Sequence, residues 1–187
     1  MALRIGDKAP DFNVNDQSGK PVKLSDFKGK KLVLYFYPKD QTPGCTAEAC
    51  NLRDNYHLLQ NQGYEVLGVS TDTEKSHLNF IAKQKLPFRL LADTTRKLHE
   101  AYGTWIEKSM YGRKYMGTAR VTFLINEKGM LEDIIDKVDT KDHTRQIIKE
   151  HSLPQKAVSQ KSATEKKIVK KVAPKKKAAK KSTSRTK

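Results

Sequence analysis

The sequence has few cysteines and no long apolar run. Two cysteines among 187 residues are too few for a domain held together by disulfide bonds. No segment approaches the roughly 20 apolar residues that a membrane-spanning helix needs. The N-terminal residues show no apolar segment typical of a secretory signal. We therefore expect a cytoplasmic protein that does not bind membranes, with cysteines that are reduced and free to react.

Positive charge is concentrated at one end of the chain. The chain carries 37 Lys and Arg against 21 Asp and Glu, a net charge of +16. Residues 155–187 contain 12 Lys, 1 Arg and 1 Glu, so this tail accounts for +12 of that charge. It has no aromatic residue and too few large aliphatic residues to offset the entropy of folding. We predict a single domain over 1–154 and a disordered basic tail over 155–187.

Patterns typical of strands and helices alternate along the predicted domain. Compact apolar runs predict three buried strands, at 31–38, 64–71 and 88–93. Helical patterns predict three helices, at 43–62, 74–84 and 96–102. A hairpin of two strands follows, at 119–126 and 130–136, and then a helix at 141–151. This order predicts an α/β domain of three layers around a mixed central sheet.

Both cysteines lie in the segment PKDQTPGCTAEAC, residues 38–50. Thr42 suits the N-cap of the predicted helix, and Pro43 suits its first position. Cys45 then falls in the first turn, where free backbone N–H groups and the helix dipole favour an anion such as a thiolate. Gly44 leaves room for a small substrate to approach the backbone. The alternative is that Cys45 is a small buried hydrophobic residue.

Cys50 lies five residues beyond Cys45. On a helix this spacing is a rotation of roughly 140° and a rise of roughly 7.5 Å, which separates the Cα atoms by roughly 8.7 Å. A disulfide bond needs a Cα separation below about 7 Å. The two cysteines therefore either never pair or pair only after the first turns of the helix unwind. The spacing is equally consistent with Cys50 being only a core residue on the helix.

Other cysteine chemistries have little support in the sequence. The C-x4-C spacing differs from that of zinc sites, so we predict no metal centre. The absence of C-x-x-C argues against a thioredoxin-like disulfide exchanger. No histidine carries a local signature of a cysteine-protease site. We expect all five at the solvated surface: His57, His77, His99, His143 and His151.

The segment PKDQTPGCTAEAC resembles the active-site segment of the peroxiredoxins, whose P-x-x-x-T-x-x-C pattern falls on Pro38, Thr42 and Cys45. A second cysteine five residues later resembles the subgroup called bacterioferritin comigratory protein or peroxiredoxin Q. Two further segments are similar to the family in the same order, GDKAPDF at 6–12 and YGRKYMGTARVTFLIN at 111–126. The resemblance covers about residues 3–151 and implies a thioredoxin-like fold.

The resemblance implies a role for each matching residue. Cys45 would be the peroxidatic thiolate, which attacks a hydroperoxide and becomes a sulfenic acid. Thr42 would hydrogen-bond the thiolate or the peroxide, Pro38 would shield the pocket from water, and Arg120 would keep the thiolate ionised. The backbone N–H groups of Gly44 and Cys45 would complete the anion site. Without the resemblance, Thr42 is a plain N-cap, Pro38 ends a strand and Arg120 lies at the surface.

The resemblance also implies how the enzyme is recycled. Cys50 would be the resolving cysteine, which forms an intramolecular disulfide with Cys45 once the helix unwinds. Thioredoxin or a similar dithiol would reduce that disulfide by thiol–disulfide exchange. The chain would act as a monomer on hydrogen peroxide and organic hydroperoxides, and it would need no cofactor.

The basic tail lies beyond this resemblance. Its KKVAPKKKAAKK segment is similar to linker-histone tails, and the density of lysine predicts binding to nucleic acid without sequence preference. The alternative is a solvated tail that aids solubility. A rival function for the whole chain is a nucleic-acid-binding protein with a redox-inert scaffold. The combination of Thr42, Cys45 and Arg120 argues against that rival.

Overall fold

The computed structural model describes residues 3–110 and 112–148 of the chain. Within these ranges the strands are β1 (Asn13–Asn15), β2 (Pro21–Lys23), β3 (Lys31–Phe36), β4 (Tyr64–Ser70), β5 (Arg89–Ala92), β6 (Trp105–Met110), β7 (Arg113–Thr118), β8 (Val121–Ile125) and β9 (Leu131–Ile135). The α-helices are α1 (Pro43–Asp54), α2 (Tyr56–Asn61), α3 (Glu74–Gln84), α4 (Lys97–Ala101) and α5 (His143–Ile148), and Leu24–Phe27 form a short 3₁₀-helix.

Five of these strands form the central sheet, in the order β5-β4-β3-β8-β9. β3 pairs in parallel with β4, and β4 with β5, through connections that contain helices. β3 pairs antiparallel with β8, and β8 with β9, which are the two strands of the predicted hairpin. The sheet is therefore mixed, as the alternation of strands and helices predicts.

The central strand β3 is buried on both faces. Leu32, Leu34 and Phe36 point to one face, where they pack with the 3₁₀-helix and α4. Val33 and Tyr35 point to the other face, where they pack with apolar residues of α1, α2, α3 and α5. Because side chains alternate along a strand, one continuous apolar run contributes to two cores. The three-layer α/β prediction is confirmed.

Several boundaries differ from the prediction. The helix predicted at 43–62 is two helices, because Asn55 leaves the helical region with φ −111° and ψ 14°. Two antiparallel hairpins, β1–β2 and β6–β7, lie in segments for which the sequence predicts no strand. Their strands are short or rich in polar residues, so neither segment contains a compact apolar run.

The prediction that every histidine lies at the surface is wrong for His77, His99 and His143, which are fully buried. Each buried ring has a polar partner at one or both of its nitrogens, which lowers the cost of its burial. His77 lies beside Asp40, His99 beside Asp93, and His143 between Thr122 and Gln146. His57 is exposed, as predicted, and His151 lies outside the described residues.

Within the described ranges, no helix combines the length and the apolar character that crossing a bilayer requires. The predicted domain boundary at residue 154 and the predicted disordered tail both lie outside the described residues. The end of the last predicted helix, at 149–151, lies outside them as well.

Candidate active site

A short loop connects β3 to the start of α1. Pro38 is half-buried in this loop, and Asp40 is buried. Gln41 adopts the left-handed backbone region, with a φ of 58°, which turns the chain just before the helix. Thr42 then occupies the N-cap position and Pro43 the first helical position, as the sequence predicts.

The hydroxyl of Thr42 bonds within the loop rather than to the helix. It donates a hydrogen bond to the carbonyl oxygen of Lys39 at 3.0 Å. In the described structure it makes no capping hydrogen bond to the first turn of α1. The first backbone N–H groups of α1 therefore remain available to an anion.

Asp40 fixes the loop against α3. Its carboxylate accepts hydrogen bonds from Tyr37 Oη at 2.7 Å and from Ser76 Oγ at 2.6 Å. The Nδ1 atom of His77 lies 2.9 Å from Asp40 Oδ2. Burial opposes ionisation of Asp40, but its interactions with His77, together with the hydrogen bonds from Ser76 and Tyr37, outweigh burial and lower the pKa of this carboxyl. An ionised Asp40 thus holds the loop that precedes Cys45.

Cys45 lies in the first turn of α1 and is 2% exposed. Nη2 of Arg120 donates a hydrogen bond to its Sγ at 3.2 Å. A Cβ atom at Gly44 would lie 3.4 Å from the same nitrogen, so a glycine here lets the guanidinium lie directly over the backbone. The sulfur is thus placed between a cation and the positive end of the helix dipole, an arrangement that stabilises a thiolate.

Glu48 completes the surroundings of Arg120. It lies one turn after Cys45, is fully buried, and its Oε2 accepts a hydrogen bond from Arg120 Nη1. Burial raises the pKa of Glu48 to about 7, although the charge of Arg120 opposes this shift. Burial also opposes the charge on Arg120, but Glu48 and Cys45 outweigh it and raise the pKa of the guanidinium. Arg120 is therefore held between two acidic groups.

His143 of α5 lies on the far side of Glu48. Its Nε2 is 3.8 Å from Glu48 Oε1 and 2.9 Å from Thr122 Oγ1, and its Nδ1 is 3.2 Å from Gln146 Oε1. Burial lowers the pKa of His143 to about 4. The imidazole is therefore neutral near neutral pH and gives Glu48 no compensating charge. Among the described residues, Glu48 Oε1 has no hydrogen-bond partner.

Lys108 brings a second cation towards the same site. It is half-buried on β6, and its Nζ donates a hydrogen bond to the carbonyl oxygen of Thr118, two residues before Arg120. Burial and then the charge of Arg120 lower the pKa of Lys108, while Cys45 opposes the shift. The β6–β7 hairpin therefore contributes positive charge near the sulfur.

Cys50 lies on α1 away from Arg120. It is half-buried, and its thiol donates a hydrogen bond to Gln84 Oε1 at 3.6 Å, at the end of α3. Both cysteines are free thiols in this structure, in which α1 is wound through both positions. A wound helix and two free thiols agree with the geometric expectation that five helical residues keep the sulfurs apart.

The structure brings together three of the residues singled out in the sequence, Gly44, Cys45 and Arg120. Sequence reasoning missed Glu48 and Asp40. A signal for Glu48 was available, because a residue three positions after Cys45 lies on the same face of a helix. Asp40 carries no such signal, since Ser76 and His77, which fix its carboxylate against α3, are far along the chain.

The arrangement suits thiolate chemistry at a buried sulfur. Among the described residues, no three or more His, Cys, Asp or Glu side chains form a group that could hold a metal ion. A cation and a helix start beside the sulfur are what stabilise a nucleophilic thiolate against the cost of its burial.

Comparison with known proteins identifies the family. The sequence model of the AhpC/TSA family matches residues 5–134. The chain is 46% identical over 149 residues to peroxiredoxin Bcp of Bacillus subtilis, spanning 80% of this chain and 95% of that protein. It is 44% identical over 148 residues to a putative peroxiredoxin bcp of Coxiella burnetii, spanning 79% of this chain and 98% of that protein.

Solved structures agree with the sequence comparison. A cysteine-to-serine mutant of PrxQ from Xylella fastidiosa superposes with a TM-score of 0.74 at 32% identity, over 79% of this chain and 94% of the other. The bacterioferritin comigratory protein of Xanthomonas campestris superposes with a TM-score of 0.69 at 36% identity, over 73% of this chain and 87% of the other. That protein was solved as trapped intermediate and ligand complexes in work on its alkyl peroxide reduction activity. The fold is therefore thioredoxin-like. The chain belongs to the AhpC/TSA family, and within it is a peroxiredoxin, a peroxidase of the bacterioferritin comigratory protein or peroxiredoxin Q subgroup.

Proposed function

We propose that this protein reduces hydrogen peroxide and organic hydroperoxides with Cys45 as the peroxidatic residue. The observation that carries the proposal is the hydrogen bond of 3.2 Å from Arg120 Nη2 to Cys45 Sγ at the start of α1. The thiolate attacks one oxygen of the hydroperoxide, an S–O bond forms and the O–O bond breaks. The other oxygen leaves with a proton as water or an alcohol, and Cys45 becomes a sulfenic acid.

The remaining matching residues serve this first step. The backbone N–H groups of Gly44 and Cys45 face the start of α1 and bind the developing negative charge. Thr42, at the N-cap, directs its hydroxyl to the thiolate or the peroxide when substrate is present. Pro38, half-buried in the loop before α1, excludes water from the reacting atoms.

Cys50 resolves the sulfenic acid by forming an intramolecular disulfide with Cys45. This step requires the first turns of α1 to unwind, because a wound helix keeps the two sulfurs too far apart. Thioredoxin or a similar dithiol then reduces the exposed disulfide by thiol–disulfide exchange, and its own two thiols become a disulfide. The enzyme works in the cytoplasm as a monomer, without a cofactor.

The test is peroxide consumption coupled to thioredoxin, with Cys45→Ser and Cys50→Ser variants of the full chain. Cys45→Ser is expected to lose all turnover, because the attacking sulfur is gone. Cys50→Ser should still consume the first equivalent of peroxide but lose thioredoxin-supported turnover. Normal recycling by Cys50→Ser would show that another thiol resolves the sulfenic acid, and turnover by Cys45→Ser would remove the proposal.

We also propose that the basic tail binds nucleic acid without sequence preference. The observation that favours it is the charge of +12 on residues 155–187, from 12 Lys and 1 Arg against 1 Glu. Lysine clusters of this density neutralise phosphates and release the counterions condensed on them. The test is the binding of duplex DNA at increasing salt by the full chain and by a chain that ends at Pro154.

A further inference from the structure

A small cluster surrounds Cys50 at the contact between α1 and α3. The Cys50 thiol donates to Gln84 Oε1 at 3.6 Å. Arg53, one turn after Cys50 on α1, donates from Nη1 to the carbonyl oxygen of Gln84 at 2.5 Å. Residues three apart on a helix lie on the same face. Gln84 therefore holds both the thiol and the guanidinium, one through its side chain and the other through its backbone.

Arg53 is the cation that faces Cys50. A hydrogen bond to Asp54 and then the charge of Cys50 raise the pKa of Arg53. Nε and Nη2 of Arg53 each lie 2.8 Å from Asp54 Oδ1, and Nη1 donates to Gln84. The guanidinium therefore acts on the thiol through its charge and not through a free N–H group.

Other charged or titratable groups lie on the helices that pack against α1. They include Lys83 and Lys85 at the end of α3, His57 of α2, and His143 and Arg145 of α5. Lys83 Nζ lies 3.5 Å from Gln41 Oε1, and His143 Nε2 lies 2.9 Å from Thr122 Oγ1. Arg145 pairs with Asp142 at 3.4 Å. Of the cations named here, Arg53 shares its partner Gln84 with Cys50.

We propose that Arg53 activates Cys50 for the resolving step and that Gln84 orients it, roles that rest on the proposed function above. The step needs the thiolate of Cys50, and a nearby cation favours the thiolate over the thiol. That thiolate attacks Cys45 Sγ, so an S–S bond forms and the S–O bond of the sulfenic acid breaks. Hydroxide leaves and takes a proton from solvent to become water, which balances the proton that Cys50 has lost.

The experiment follows disulfide formation in Arg53→Gln by rapid mixing with hydrogen peroxide, thiol alkylation and intact mass measurement. The variant should form the sulfenic acid at the wild-type rate, because Arg53 lies away from Cys45. Disulfide formation should slow about tenfold near pH 7, and its half-maximal pH should rise by about one unit, as the thiolate fraction falls. Over-oxidation of Cys45 to the sulfinic acid should increase, because the sulfenic acid lives longer.

Three variants serve as controls. Arg53→Lys keeps the charge and should restore most of the rate of disulfide formation. Gln84→Ala removes the acceptor of the thiol and should slow the same step without the rise in half-maximal pH. Arg145→Gln removes one exposed cation from α5, outside this cluster, and should behave as wild type.

Two results would overturn the proposal. One is a wild-type rate and pH profile of disulfide formation in Arg53→Gln. The other is a rate of disulfide formation that is lowered by the same factor at every pH up to about 10. At such a high pH the thiol is ionised without a nearby cation, so a uniform decrease would mark a purely structural effect. Failure of the proposed function has a different signature, because Cys50→Ser would then recycle normally whatever Arg53 does.

Discussion

Glu48 is the residue whose ionisation most directly affects the site. It is fully buried, and its pKa is raised to about 7. A raised carboxyl pKa contributes stability that is fully present below its ordinary value of 4.5 and is lost as pH rises through about 7. The contribution of His143 to stability depends on pH in the opposite direction. Its pKa falls from 6.5 to about 4, so its contribution is present above 6.5 and lost as pH falls through about 4.

The opposite pH dependences of Glu48 and His143 predict how the stability of Glu48→Gln varies with pH. In the wild type the two contributions to stability partly cancel between pH 4.5 and 6.5. Without Glu48, only the effect of His143 remains. Acidification from pH 6.5 to 4.5 should therefore lower the free energy of unfolding of Glu48→Gln by up to about 3 kcal/mol more than that of the wild type, which corresponds to the linkage of one proton over two pH units. Chemical unfolding at a series of pH values measures this.

A matched control for Glu48→Gln is Glu107→Gln, which removes a carboxylate that is 58% exposed on β6. Its pH profile of stability should follow that of the wild type. A profile of Glu48→Gln that also follows the wild type would show that Glu48 does not hold its proton more tightly in the folded state.

The sequence contains enough to find some of these residues and not others. Cys45, Gly44 and Arg120 are found because a helix start, a glycine and a family pattern mark them. Asp40 and His77 are not, because their pairing joins a loop to a helix 37 positions away in the chain. A buried histidine cannot be told from an exposed one until its partner is known.

At the scale of elements, α1 is held at its far end by α5. Asn51, next to Cys50, donates from Nδ2 to the carbonyl oxygen of Lys141 at 2.8 Å. Its Oδ1 accepts from the backbone N–H of Thr144 at 2.8 Å and from the Thr144 hydroxyl at 2.9 Å. One amide side chain therefore ties α1 to the start of α5. Any unwinding of α1 that reaches residue 51 must break these bonds.

Asn51→Ala is expected to loosen α1. It removes three hydrogen bonds and leaves the backbone N–H of the buried Thr144 without its partner, which should lower the free energy of unfolding by about 1–3 kcal/mol. Disulfide formation after peroxide treatment should become faster, because α1 is held less firmly and its first turns unwind more readily. Thermal unfolding and the alkylation assay measure the two effects. Asn61→Ala, at an exposed position of α2, is the matched control and should change neither.

Two results for Asn51→Ala would contradict this prediction. Unchanged stability would mean that water replaces the lost bonds at no cost. Lower stability with slower disulfide formation would mean that the tie aligns Cys50 for attack instead of opposing the unwinding of α1.

The elements themselves divide into those that local pattern predicts and those that it does not. β3, β4 and α3 are long and strongly patterned, so their positions agree closely with the prediction. The break at Asn55 is not marked by proline or glycine in the sequence; the Asn55 side chain donates to the carbonyl oxygen of Asn51 at 2.9 Å, a local bond of the kind that competes with helix continuation. The β6–β7 hairpin mixes charged and apolar residues, so no compact apolar run marks it.

At the scale of the whole molecule, the residues of the candidate site all lie within the described ranges and the basic charge lies beyond them. Residues 1–154 carry 24 basic and 20 acidic residues, a net charge of +4, against +12 on residues 155–187. The peroxidase chemistry and the proposed binding of nucleic acid thus belong to separate parts of the chain. Each function should be removable without the other.

The tail prediction is tested by the salt dependence of duplex DNA binding, measured by fluorescence anisotropy. If the tail neutralises about six phosphates, the full chain should lose about a thousandfold in affinity between about 50 mM and 200 mM salt. A chain ending at Pro154 should not bind measurably, because its net charge is only +4. That shorter chain should consume peroxide at the full rate, since Cys45, Cys50 and Arg120 all precede its end. Equal binding by the two chains, or binding that salt does not weaken, would show that the lysines of the tail do not act on phosphates.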